Sequence, residues 1–159
     1  MKRKSVRIYS FTGTGSCLAL KLAEKLKQEE YVCTGYTVAR FAEDKRLQRL
    51  NDGWKQEIGA SWGEHALVFI GAAGIAIRAI APFVKDKFTD PPVIVLDEKG
   101  TFAIPLLSGH VGGGVTLAKV LAEYTGGRAV ITTATDVQKK FAADVFAMEN
   151  GLIITDREE

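Results

Sequence analysis

A chain of 159 residues, 47% hydrophobic and 25% charged, has the length of one domain and the composition of one that buries a core, which excludes intrinsic disorder. Its 21 basic and 19 acidic residues leave a formal charge of +2, too balanced for the broad positive field that binds nucleic acid. Cys17 and Cys33 stand sixteen positions apart, which is neither a metal-ligand nor a C-x-x-C spacing, and no apolar run reaches the ~18 residues of a membrane span. The basic start, Met1 to Lys4, reads as a solvated terminus. No signal-peptide cleavage pattern follows it, so a cytoplasmic location is expected.

In chain order, Ser5 to Phe11 is β-rich, and the turn TGTG leads into a predicted helix from Ser16 that buries Leu18, Leu22 and Leu26. A second β-prone stretch, Tyr31 to Ala39, precedes the charged segment Glu43 to Glu57. That segment reads as a helix around Leu47 and Leu50, broken at Asn51, Asp52 and Gly53. Ala66 to Ile70 reads as a fully buried strand, and GAAG then leads into a helix over Ile75 to Val84, disturbed by Pro82.

A strand at Val93 to Leu96 passes through DEKG, a hairpin turn, into Thr101 to Ile104. Gly112 to Gly114 open a helix carrying Leu117, Val120 and Leu121, which Gly126 and Gly127 stop, and Ala129 to Ile131 return as a strand. The tail from Val137 holds a short helix and the strand-like LIIT. Repeated strand–loop–helix units with continuously apolar strands predict an α/β fold: a three-layer α/β/α domain whose mainly parallel sheet becomes mixed through the hairpin.

The run from Gly71, GAAGIAIRAIAPFVKDKFTDPPVIVLDEKGTFAIPLLSGHVGGG, resuming at Ile131 with ITTATD, resembles the amino-terminal and early middle regions of the CbiG family of cobalamin biosynthesis. GIAIRAIAP, KDKFTDPPVIVLDEKG, the SGH-x-GG element and TTATD agree in order and spacing, which is far more specific than one glycine loop. The resemblance implies that residues 1–136 form the CbiG amino-terminal-like domain and that 137–159 begin a middle region or connection. Complete members are longer, so the chain reads as a split or a truncated form that lacks the carboxyl-terminal domain, which in the split form would be a separate partner. Where the family continues its glycine element with Ala-Asn-Glu-Leu, this chain has Gly114, Val115, Thr116 and Leu117, so two polar side chains are changed or lost.

The activity that the resemblance implies is that of a cobalt-precorrin-5A hydrolase, opening the ring-A δ-lactone and releasing acetaldehyde to give cobalt-precorrin-5B. Cobalt would travel inside the tetrapyrrole substrate, so no cofactor or metal of the protein's own is expected. Neither nucleic acid nor a membrane is an expected partner, and a homo-oligomer is compatible with the sequence. A tetrapyrrole-binding or assembly subunit without catalysis is a rival reading.

Lactone opening needs an activated water, donors for a tetrahedral oxyanion, and cations for a carboxylate-rich ligand. His110, at the expected entrance to a helix, is the general-base candidate, with Asp97 and Asp136 to orient it or to activate water. Each also has a structural reading: loop ordering for His110, turn formation for Asp97, capping for Asp136. Candidate substrate contacts are Gly71, Gly74, Arg78, Lys85, Lys87, Asp90, Ser108, Gly109, Gly112 and Gly113. The glycines equally suit tight turns, the cations solvated positions, Asp90 a turn and Ser108 a cap. These glycine-bearing strand ends are expected to converge on one pocket. His65, Trp54 and Trp62 read as packing residues.

The early YSFTGTGS also resembles a flavodoxin phosphate loop. On that alternative Thr12, Gly13, Thr14, Gly15 and Ser16 would bind FMN in an electron carrier.

Overall fold

The computed structural model describes residues 4–109, 112–134 and 151. Strand β1 (Ser5–Ser10) leads into helix α1 (Gly13–Gln28), followed by β2 (Val32–Thr37), the short β3 (Leu47–Arg49) and α2 (Trp54–Ala60). Next come β4 (Ala66–Ile70), α3 (Ala73–Ile80), β5 (Val93–Leu96), β6 (Phe102–Leu107), α4 (Gly114–Thr125) and β7 (Arg128–Ala129). The sheet order is β3-β2-β1-β4-β5-β6-β7. All neighbours run parallel except β5 and β6, which form an antiparallel hairpin.

Pleating divides the core. Val6, Ile8, Val68, Ile70, Ile94 and Leu96 pack toward α1 and α4, meeting Leu22, Leu26, Ala118 and Leu121. Tyr9, Leu67, Phe69, Val93 and Val95 pack toward α2 and α3, meeting Ile58, Ala76 and Ile80. The central strands are therefore apolar on both faces, which is why they lack the alternation of a half-exposed sheet. The expected three-layer mixed α/β domain is the observed fold.

Several boundaries differ from expectation, each for a local reason. Helix α1 begins at Gly13 because Thr12 Oγ1 caps it, accepting from the Gly15 amide at 3.0 Å. Ala19, Leu22, Ala23 and Leu26 form its buried stripe, with Leu18 only half-buried. The expected helix around Leu47 is the edge strand β3, since Leu47 pairs with Gly35 and is buried. A β-carbon at position 35 would stand 2.5 Å from Leu47 Cδ2, so the missing side chain of Gly35 creates the seat. Helix propensity thus yields to a tertiary contact.

Helix α3 ends at Ile80, and Pro82 lies in a single 3-10 turn over Ala81–Phe83. Strand β6 extends to Leu107 and includes Pro105, tolerated because β7 pairs only with Phe102 and Ala103. Helix α4 stops where Gly126 adopts φ 69° and the Gly127 amide bonds Ala122 O at 2.9 Å, a glycine stop of the Schellman kind. The expected last strand is shorter and starts one residue earlier, at Arg128. The tail from Val137, apart from residue 151, lies outside the described residues.

His65, just before β4, accepts or donates through Nδ1 to Ser5 Oγ at 2.7 Å. Burial first, then the Arg7 guanidinium, lowers its pKa, and Glu64 only partly opposes them. A depressed folded pKa means that neutral His65 contributes stability above the unfolded pKa of about 6.5, and that this contribution is lost as pH falls through that value toward the folded one. Melting of the wild type should therefore decline more steeply than that of His65→Asn between about pH 7.5 and 5.5. Parallel curves would remove His65 from the acid response.

Candidate functional site

The hairpin decides where the candidate residues lie. Because β6 runs back along β5, Leu107 is level with Val93, at the amino-terminal end of the parallel strands. The loop after it therefore opens there, whereas Gly71 and Gly74 follow β4 at the carboxyl-terminal end. The expected single pocket of converging glycine loops is not what the fold builds. The loops are separated by the length of the sheet, ~15 Å.

Lys85, Lys87, Asp90, Ser108, Gly109, Gly112 and Gly113 gather at the amino-terminal end. Ser108 takes the left-handed conformation at φ 51°, and its hydroxyl donates to Asp90 O at 2.7 Å. It is thus a tie between two loops, neither a helix cap nor a free nucleophile. The Gly114 and Val115 amides bond the carbonyls of Ser108 and Gly109 at 3.1 and 2.9 Å. Those first helix amides are thereby taken up, so α4 does not begin as an open anion cradle.

The loop is pinched. A β-carbon at Gly112 would lie 2.6 Å from Ser108 Cβ and 2.8 Å from Ser108 O, and Gly113 sits at φ 78°. Where the family pattern has two polar residues, Val115 is buried and Thr116 faces a cavity of about 210 Å³. Lys4, Tyr31, Pro92, Gly112 and Gly113 help to line that cavity. Lys4 is a lining residue that the sequence pattern does not mark, since a basic residue near a terminus looks like any solvated one.

Asp90 is 6% exposed, and its carboxylate accepts from Trp62 Nε1 and from the amides of Lys85 and Asp86 at 2.9, 2.9 and 3.0 Å. Its turn role explains the two amide bonds, and the Trp62 bond ties that turn to the segment after α2. Lys85 and Lys87 themselves are exposed, with the Lys87 ammonium 4.9 Å from the Phe88 ring centre. His110 and Asp136 lie outside the described residues.

At the opposite end, Asp97 Oδ1 accepts from the Lys99 amide at 3.0 Å and Oδ2 from the Phe102 amide at 2.7 Å. Burial pushes its pKa up, but the backbone bonds from Phe102, Thr101 and Lys99 outweigh this and hold it below the usual carboxylate range. A weakened base that closes a hairpin, at the far end of the sheet from Ser108 and Gly112, is poorly placed for water activation in their loop.

The same end holds the phosphate-loop-like turn, and its hydroxyls are already engaged. Thr12 Oγ1 donates to Glu98 Oε2 at 2.8 Å, while Ser16 Oγ bonds Thr12 O at 2.8 Å and Thr37 Oγ1 at 2.7 Å. A carboxylate beside the start of α1 repels the phosphate that the flavodoxin-like reading requires there.

Beside that turn lies a crevice of about 550 Å³, floored by Phe11 and Trp54 and bordered by Arg49, Asp52, Lys55 and Arg78. Of these, the sequence marks Arg78 as a candidate substrate contact and Trp54 as a residue that covers the core in preference to contacting a flat macrocycle. Arg49 and Lys55 sit in a charged segment whose spacing carries no signal of convergence. Trp54 and Trp62 both pack against the core on the α2–α3 face, as expected. Among the described residues no group of three or more His, Cys, Asp or Glu side chains could hold a metal, and no helix is long and apolar enough to cross a membrane.

The chain is 39% identical over 150 residues to the cobalt-precorrin-5A hydrolase of Salmonella typhimurium, covering 94% of this chain and 41% of that protein. It is 45% identical over 87 residues to the cobalt-precorrin-5A hydrolase of Priestia megaterium, covering 55% of this chain and 23% of the relative. The chain thus spans less than half the length of the curated relatives it matches. Among solved structures, a cobalamin biosynthesis protein G homolog from Sulfolobus solfataricus superimposes with a TM-score of 0.63 at 27% identity. That match covers 80% of this chain and 36% of the other. Residues 58–136, which hold the GIAIRAIAP run, the hairpin and the pinched glycine loop, match the family model described as cobalamin synthesis G N-terminal, and the chain belongs to that CbiG N-terminal family.

Proposed function

We propose that this chain is the amino-terminal component of a cobalt-precorrin-5A hydrolase in cobalamin biosynthesis. It would help to open the ring-A δ-lactone and release acetaldehyde, giving cobalt-precorrin-5B. The observation that carries this reading is the 39% identity over 150 residues to a protein of that name, because the similarity runs through 94% of the chain. The close approach of Gly112 to Ser108 supports it, as do the exposed Lys85 and Lys87 at the same end of the sheet.

In the reaction, water adds to the lactone carbonyl and the ring oxygen leaves as a hydroxyl. Carbon–carbon cleavage is then redox-neutral: the hydroxyl loses its proton and becomes the aldehyde carbonyl, while the macrocycle keeps the electron pair and takes up a proton. His110 is proposed as the base for the attacking water, with Asp136 as its orienting carboxylate. Gly109, Gly112 and Gly113 would let the macrocycle approach the backbone, and Lys85 and Lys87 would meet its acid side chains.

The cavity beside Gly112, about 210 Å³, is smaller than the ~300–1,000 Å³ typical of sites that enclose drug-sized ligands. A tetrapyrrole would therefore be covered only along one edge, with the remainder resting on a further part of the protein. The test is incubation with cobalt-precorrin-5A, alone and with the carboxyl-terminal part of a relative, while acetaldehyde is measured. Release in the combined mixture is the expected result. Substrate binding without release in either mixture would replace catalysis with the rival role of a tetrapyrrole-binding subunit, which the changed residues Val115 and Thr116 favour.

A further inference from the structure

We propose that the crevice at the carboxyl-terminal end of the sheet is a binding site for a flat conjugated ring carrying several anionic groups. The inference does not depend on the hydrolase reading, because it stands at the opposite end of the sheet from the loop which that reading uses and, Arg78 apart, on residues outside its substrate-contact candidates. Three observations converge on it.

The first is position. From β1 the chain crosses to β2 on one side, while β4 lies on the other side of β1. The loops leaving the carboxyl ends of β1 and β4 therefore diverge, and open α/β sheets form a ligand crevice at such a switch point. Phe11 follows β1 directly, and Ile75 and Arg78 belong to the helix that follows β4.

The second is the floor. Trp54 lies 5.7 Å from Phe11 and 5.7 Å from Tyr9, ring centre to ring centre, and Tyr9 in turn stacks on Phe69 at 5.1 Å and on Tyr36 at 5.2 Å. The upper rings are held in place by buried ones, so a ligand ring would meet a preformed aromatic surface.

The third is charge. Arg49, Lys55 and Arg78 border the cavity against a single acidic side chain in the lining, Asp52. Among the described residues none of the three cations enters an ion pair. Lys55 Nζ stands 5.6 Å from the Trp54 ring centre, and Arg78 Nη1 donates only to Gly74 O at 3.1 Å. Unpaired guanidinium groups beside an aromatic floor suit carboxylate or phosphate groups at the rim of a flat ring.

The experiment titrates the 159-residue chain with uroporphyrin I, a planar polycarboxylate, and separately with FMN, a planar phosphate, following ligand absorbance or fluorescence. Saturable binding of at least one probe is expected, weakening as salt is added. The double variant R49Q/R78Q should weaken it by about tenfold or more, as befits the removal of two charge-assisted hydrogen-bonding groups. Lys27→Gln, on the exposed face of α1, should change it less than about twofold, on the scale of screened surface charge. Preference for uroporphyrin I would identify carboxylates as the recognised groups, and preference for FMN a phosphate. Both substituted arginines are exposed, so an unchanged melting curve verifies the fold of the double variant. Absence of saturable binding by both probes, or equal weakening by R49Q/R78Q and Lys27→Gln, would overturn the proposal. Loss of acetaldehyde release with the crevice still binding would instead reject the hydrolase reading and leave this one standing.

Discussion

Acetaldehyde release by the complete hydrolase should fall on the order of 100- to 10,000-fold when His110 is replaced by alanine, the usual contribution of a positioned general base. The chain has two histidines, and the other is already committed. His65 bonds Ser5, and although Ser5 itself lines the cavity beside Gly112, His65 is not among the residues that line it. Burial and the neighbouring Arg7 lower its pKa, and Arg7 in turn reaches Ser61 just after α2. If His110 is the base, the acid limb of the pH–rate profile should disappear with it while the melting curve stays in place. Near-normal turnover by His110→Ala would transfer the role to another group in the loop.

Asp90→Ala is expected to lower stability by about 3 kcal/mol, because it removes a charged acceptor and strands donors in a buried site. The Trp62 indole N–H and the Lys85 and Asp86 amides would all lose their acceptor, and Asp90 itself is 6% exposed. For a domain of this size that destabilisation corresponds to a melting shift of roughly 6–12 °C. Asp90→Asn should fall between the two proteins, since the amide keeps one acceptor oxygen but presents an N–H₂ where another acceptor was needed. The consequence reaches function through Ser108, whose hydroxyl is bonded to Asp90 O. Any change in activity should therefore follow the loss of order in the two loops. Calorimetry showing a shift under about 2 °C would mean that the carboxylate does not hold this corner together.

Much of the fold was legible because local chemistry and global packing agree over most of the chain. The apolar runs at 66–70 and 93–96 had no alternation to lose and could only be buried on both faces. DEKG forms the expected hairpin, with the Gly100 amide on Asp97 O at 2.9 Å. The exception is Leu47, where a distant glycine makes room for a strand edge, and no window of neighbouring residues contains that information.

The sequence by itself determined the class of fold, the family and the order of the motifs, because each of these is written in residue types and their spacing along the chain. Only the tertiary structure decided which motifs share a place. One hairpin reverses the chain between Leu96 and Phe102, sending Ser108, Gly109, Gly112 and Gly113 to the opposite end of the sheet from Gly71 and Gly74. The pairing of β3 with β2 brings Arg49 to the same rim as Arg78. Strand direction and long-range pairing are set by which surfaces pack together, and sequence distance does not record them.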